Sequence, residues 1–164
     1  ETVSLAEALD ITGVEVHGTE IDGRVIDGRE RVRLEVQYDA YRDVKDINLA
    51  VCIRRSDGVA CCTARTRFAG LRIDLPLGRG RVSVDFEAPA LATGSYFAEA
   101  ELLDSTDTLA LKSGPSRSDW FMVRGRGRVC DHEAGVFEPV THWHRPTPMG
   151  VPVSDVETPA PHAF

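Results

Sequence analysis

The chain alternates between apolar and polar positions over long stretches. Between residues 30 and 41, Val32, Leu34, Val36, Tyr38 and Ala40 fall on one side, while Arg31, Arg33, Glu35, Gln37, Asp39 and Tyr41 fall on the other. A period of two is the mark of a β-strand with one buried and one wetted face. Residues 47–55 repeat it, with Ile47, Leu49, Val51 and Ile53 inward and Asn48, Ala50, Cys52 and Arg54 outward. Gly94 launches a third such segment, up to residue 104. Tyr96, Ala98, Ala100 and Leu102 take one side; Phe97, Glu99, Glu101 and Leu103 take the other. This segment is read as the central strand around which the rest pair.

Further strands are predicted over residues 11–17, with a break at Gly13 suited to a bulge, and over 59–66 after an Asp57-Gly58 hairpin turn. Two more fall at 81–87, with Val82, Val84 and Phe86 inward, and at 118–124. In the latter Phe121 and Val123 point in, leaving Trp120 and Met122 outside. A last apolar segment, 135–143, carries Pro139, which favours an edge or a bulge. Between them, Asp22-Gly23 and Asp27-Gly28 bracket a loop, and residues 67–80 form another. Residues 105–118 are turn-prone, with a short edge piece at 109–111. Ser4 to Glu7 has capping-box form, suiting either one helical turn or an irregular junction. Gly-Arg-Gly-Arg occurs at Gly78 and at Gly125, and both copies read as turns. Many short strands without a long helix imply an all-β, antiparallel sandwich.

At 164 residues the chain fits one domain with tails: a junction over 1–10, the sandwich over 11–144, and a tail over 145–164. That tail holds Pro146, Pro148, Pro152, Pro159 and Pro161 and is expected to be poorly ordered. A net charge of -7 argues against a nucleic-acid partner, which needs a basic footprint. No apolar run approaches the ~20 residues of a spanning helix. Glu1 opens the chain without a basic or apolar leader, so no signal peptide is expected. Without an initiator Met the chain reads as a fragment or a processed form. Cys52, Cys61, Cys62 and Cys130 match no CxxC or secreted framework, and buried free thiols in a reducing compartment are expected.

Candidate chemistry is sparse. Glu99 and Glu101 share a strand face, and glycosidases need two carboxylates, but a solvated strand face is the preferred explanation. Cys130 with His132, and His142 with His144, have no standard zinc spacing, so no metal is expected. No nucleophile elbow and no P-loop is present, so no catalytic residue or cofactor is assigned. What remains is an outward strip bearing Trp120, Phe97, Glu99, Arg54 and Asn48. Aromatic rings stack on sugar C–H faces, while Asn, Glu and Arg pair with hydroxyls or with an acidic group. Trp120 and Phe97 could equally pack under a loop or against a second subunit.

Several segments carry a family resemblance. They are Ile11-Thr-Gly-Val-Glu-Val, Glu30 through Ala40, Leu49 through Gly58, Gly94-Ser-Tyr, and Gly135-Val-Phe-Glu-Pro-Val-Thr-His-Trp143. In this order the chain resembles the C-terminal domain of Wzt, the ATPase component of ABC transporters that export O-antigen polysaccharide. Asn48 stands near a glycine of the family pattern, and Ala64–Arg65 near an asparagine.

The resemblance implies an Ig-like sandwich and a non-catalytic module that binds the non-reducing end of a lipid-linked glycan. The outward strip then supplies the expected contacts, Trp120, Phe97 and Arg54, with Glu99, Asn48 and Arg65 supporting them. The resemblance also implies a homodimer exchanging the 135–143 strand about a hinge at 125–135. The partners implied are the transporter's ATPase domain and its transmembrane subunit, at the cytoplasmic face of the inner membrane. A glycan-modifying enzyme using Glu99 and a purely structural dimerisation module are the rival expectations.

Overall fold

In chain order the strands are β1 (Leu9–His17), β2 (Glu20–Asp22), β3 (Val25–Asp27), β4 (Val32–Ala40), β5 (Val44–Arg55), β6 (Ala60–Arg65), β7 (Ile73–Leu75), β8 (Gly78–Phe86), β9 (Gly94–Leu103), β10 (Ser116–Arg117) and β11 (Phe121–Arg124). The structure, a computed structural model, describes residues 7–22, 25–103, 105, 115–125, 136–137 and 141–146. Most of the predicted 4–7 element, the 109–111 element, the 125–135 hinge beyond Gly125, Cys130, His132 and most of the tail lie outside these residues.

The strands form two sheets. One runs β1-β4-β8; the other runs β2-β3-β11-β9-β5-β6, with β10 also on β9 and β7 also on β5. Pairing is antiparallel throughout, save β11 with β3. The inward sets read from the alternation are the core. Val32, Leu34, Val36, Tyr38 and Ala40 of β4 pack with Leu49, Val51 and Ile53 of β5 and with Tyr96, Ala98, Ala100 and Leu102 of β9. Burying such rows from two sheets against each other is the main stabilising term of a sandwich. The Tyr96 hydroxyl reaches no water and donates instead to the Ala92 carbonyl at 2.7 Å, the kind of upstream bond that fixes a corner in Ig-like domains. The bulge expected at Gly13 is present as a register shift between Ile11 and Gly13.

Three local expectations are corrected. The expected 22–28 loop contains β3, which pairs antiparallel with β2, and its Asp27 is buried and bound by Arg29 through two side-chain hydrogen bonds. Residues 67–80 contain β7 and the start of β8. The first Gly-Arg-Gly-Arg is therefore strand, not turn. Gly80 faces Tyr38, whose ring occupies the space a Cβ would need, while Arg79 and Arg81 face out beside Asp39 and Glu35. A third difference concerns the thiols: Cys52, Cys61 and Cys62 are free but only half-buried.

Candidate functional site

β9 lies in the middle of the larger sheet, and its outward residues have neighbours on both sides. Towards β5, Phe97 stands opposite Arg54, Glu99 opposite Cys52, Glu101 opposite Ala50 and Leu103 opposite Asn48. β6 extends three of these rows, with Ala60 beside Arg54, Thr63 beside Cys52 and Arg65 beside Ala50. On the other flank, Arg117 of β10 stands opposite Glu99, and Phe121 of β11 stands opposite Tyr96. Three residues, Ser118 to Trp120, thus span the stretch that two residues of β9 occupy. That is a bulge, and the extra residue inverts the alternation. Arg117 and Phe121 would share a face in a regular strand. Instead Arg117 faces out to Glu99, and Phe121 turns in to stack on Tyr96 at 6.1 Å. Ser118 holds the bulge from both sides: its N–H donates to the Ala98 carbonyl at 2.8 Å, and its Oγ accepts the Ala98 N–H at 2.9 Å. Trp120 is left on the outer surface, 62% exposed.

The outward groups form one cluster. Trp120 meets Phe97 edge-on with ring centroids 4.7 Å apart, and the Arg117 guanidinium lies 5.0 Å from the same ring. Phe97 is consequently covered, at 6% exposure. It is a floor beneath the other two groups rather than the open contact that its outward position suggested. Glu99 is equally buried, yet both its oxygens are engaged. Arg54 Nε donates to Oε2 at 2.5 Å, and Arg117 Nε donates to Oε1 at 2.9 Å. A buried carboxylate needs such pairing, because desolvating an unpaired charge is costly. Arg54 gives a further hydrogen bond to the Gly58 carbonyl at 2.9 Å. The Glu99 hydrogen bond raises the Arg54 pKa, so the Arg54 charge persists at any working pH.

Of the residues singled out in the sequence, Trp120, Phe97, Arg54 and Glu99 come together. Arg65 lies one row away, with its guanidinium 5.8 Å from the exposed Phe68 ring. Asn48 does not join them. It is buried at the far end of the β5–β9 ladder, opposite Leu103, about 20 Å along the strand from Arg54 at 3.3 Å per residue. Sequence reading missed Arg117. It lies in a polar segment with no alternation, and the one signal was its position three residues before Trp120. His142 and His144 are exposed outside any strand. A surface hollow of about 490 Å³ lies elsewhere, on the smaller sheet, lined by Thr12, Glu35, Gln37, Arg81 and the buried Tyr38. It offers no exposed aromatic, and Arg81 already faces Glu35 at 3.7 Å. For a flat, hydroxyl-rich ligand the exposed indole of the larger sheet is the stronger platform.

The family pattern described as the Wzt C-terminal domain matches residues 6–111. No curated protein matches the chain. The crystal structure of the C-terminal domain of wzt superposes with a TM-score of 0.62 at 12% identity, covering 84% of each chain. A β-glucuronidase from glycoside hydrolase family 2 gives 0.46 at 15% identity, covering 66% of this chain and 12% of that one. A β-D-mannosidase from Dictyoglomus thermophilum gives 0.44 at 16%, covering 63% and 13%.

Proposed function

The chain belongs to the Wzt C-terminal domain family, and from that premise we propose that it is a non-catalytic carbohydrate-binding module for an exported O-antigen polysaccharide. It recognises the non-reducing end of the lipid-linked glycan and serves an ABC transporter, working beside the ATPase domain and the transmembrane subunit at the cytoplasmic face of the inner membrane. Residues 11–144 are the binding domain, and the module acts as a homodimer joined through the 135–143 segment. No helix among the described residues is long and apolar enough to cross a membrane.

The observation that carries this reading is Trp120, exposed on the outer face of the larger sheet and backed by Phe97 and the Arg54–Glu99–Arg117 cluster. Such an indole gives a sugar ring an apolar face to stack on, with charged donors at its rim. An acid/base role for Glu99 is disfavoured, because both its oxygens are already held by guanidinium groups and neither faces a substrate proton.

Titration with O-polysaccharide fragments tests the proposal. The chain has two tryptophans, so Trp143→Phe leaves Trp120 as the reporter. Matched fragments should change its fluorescence saturably, and mismatched ones should not. A flat response to every fragment rejects the reading, and released sugar would replace it with the enzymatic one.

A further inference from the structure

Arg117 has a feature the other charged groups of the face lack. Its Nε is committed to Glu99, which fixes the guanidinium, and its plane is further restrained by the Phe97 ring. Its two terminal nitrogens make no hydrogen bond among the described residues, and the side chain is 63% exposed. Arg54 is tethered to the same carboxylate from the opposite strand. Two fixed guanidinium groups therefore share one buried carboxylate, and one fork opens to solvent beside Trp120. The neighbouring charges do not close that fork. Glu101 and Arg65 lie one row away on either side of Ala50, and the exposed Asp119 forms no ion pair with either guanidinium.

An oriented guanidinium with free terminal N–H groups is the arrangement that binds the two oxygens of a carboxylate or phosphate. Pre-orientation matters because it removes the rotamer cost of assembling the fork on binding. We propose that Arg117, held by Glu99 and supported by Arg54, reads an acidic substituent on the sugar that stacks on Trp120. The ligand class is then a glycan end bearing a carboxylate or a phosphate rather than a neutral one. This rests on the glycan-binding reading above and adds to it the chemistry of the bound end.

The test uses three glycosides that differ at one carbon: methyl glucoside, its 6-phosphate and methyl glucuronide, with inorganic phosphate as a fourth probe. Each is titrated into the isotopically labelled chain, and the Trp120 indole N–H and Arg117 Nε–H signals are followed by NMR. The acidic glycosides should bind about tenfold more tightly than the neutral one, with both signals shifting. The tighter of the two names the substituent. In Arg117→Gln the ratio of acidic to neutral affinities should fall to about one, and in Arg117→Lys it should be intermediate. Equal binding of all three glycosides with a Trp120 shift overturns the acidic-end proposal and leaves the glycan reading standing. A shift at Arg117 with inorganic phosphate, and none at Trp120 with any glycoside, overturns both.

Discussion

Glu99 and Arg117 are paired twice, once through the backbone register of β9 and β10 and once through a 2.9 Å hydrogen bond from Nε to Oε1. The ladder sets the two Cα positions side by side. On its other oxygen Glu99 meets Arg54, so one buried carboxylate ties together three strands of the larger sheet.

The stability of that cluster is predicted to be asymmetric. Replacing both Arg54 and Arg117 by Ala leaves Glu99 buried and unpaired, which should cost about 3 kcal/mol. Glu99→Ala leaves two guanidinium groups that can turn to water, and should cost about 1 kcal/mol. Urea unfolding of the three proteins gives the comparison.

Trp120→Ala should abolish glycan binding while leaving the fold intact. The indole is mostly exposed, so the stability lost is mainly the edge contact with Phe97, about 1 kcal/mol. Calorimetric titration with matched polysaccharide, beside a thermal melt of the same variant, separates binding from folding. Unchanged affinity would remove the face assigned here.

Gly80→Ala should destabilise the chain by about 2 kcal/mol, because its Cβ would run into the buried Tyr38 ring. Pairing it with Tyr38→Leu should recover part of the loss, since the obstructing ring is gone. The denaturant midpoints of the single and double variants measure this, and equal midpoints would contradict the packing described.

Asp27 predicts an acid dependence. The side-chain hydrogen bonds from Arg29 outweigh burial and hold its carboxyl below the usual range. A depressed folded pKa contributes stability above the unfolded value, about 3.9, and that contribution is lost as pH falls through the folded value. Asp27→Asn should therefore lower the melting temperature near neutral pH, with the gap to the parent closing below about pH 4. A constant gap down to pH 2 would show that charge is not the cause.

Cys62 should resist alkylation. Burial pushes its thiol up to about 11, so at pH 8 about one molecule in a thousand carries the reactive thiolate. Mass spectrometry after brief iodoacetamide treatment should find Cys62 unmodified in the folded chain and labelled after denaturation.

The sandwich was legible because alternation is local. Each strand carries its own buried and wetted faces, so the inward sets of β4, β5 and β9 follow from spacing alone. Trp120 was legible as outward for the same reason. Less visible were short strands such as β2, β3 and β7, which lack the length to display a period, and the strand character of the first Gly-Arg-Gly-Arg, which depends on Tyr38 filling the glycine's space.

The linear chain determined which side of each long strand is apolar, because a period of two is a property of neighbours along the backbone. Only the folded arrangement decided which outward groups meet. Arg117 reaches Glu99 from 18 residues away, the bulge at Ser118 inverts the facing of everything after it, and Asn48, outward by its spacing, ends buried far from the cluster. Register and coverage are relations between strands, and no single strand encodes them.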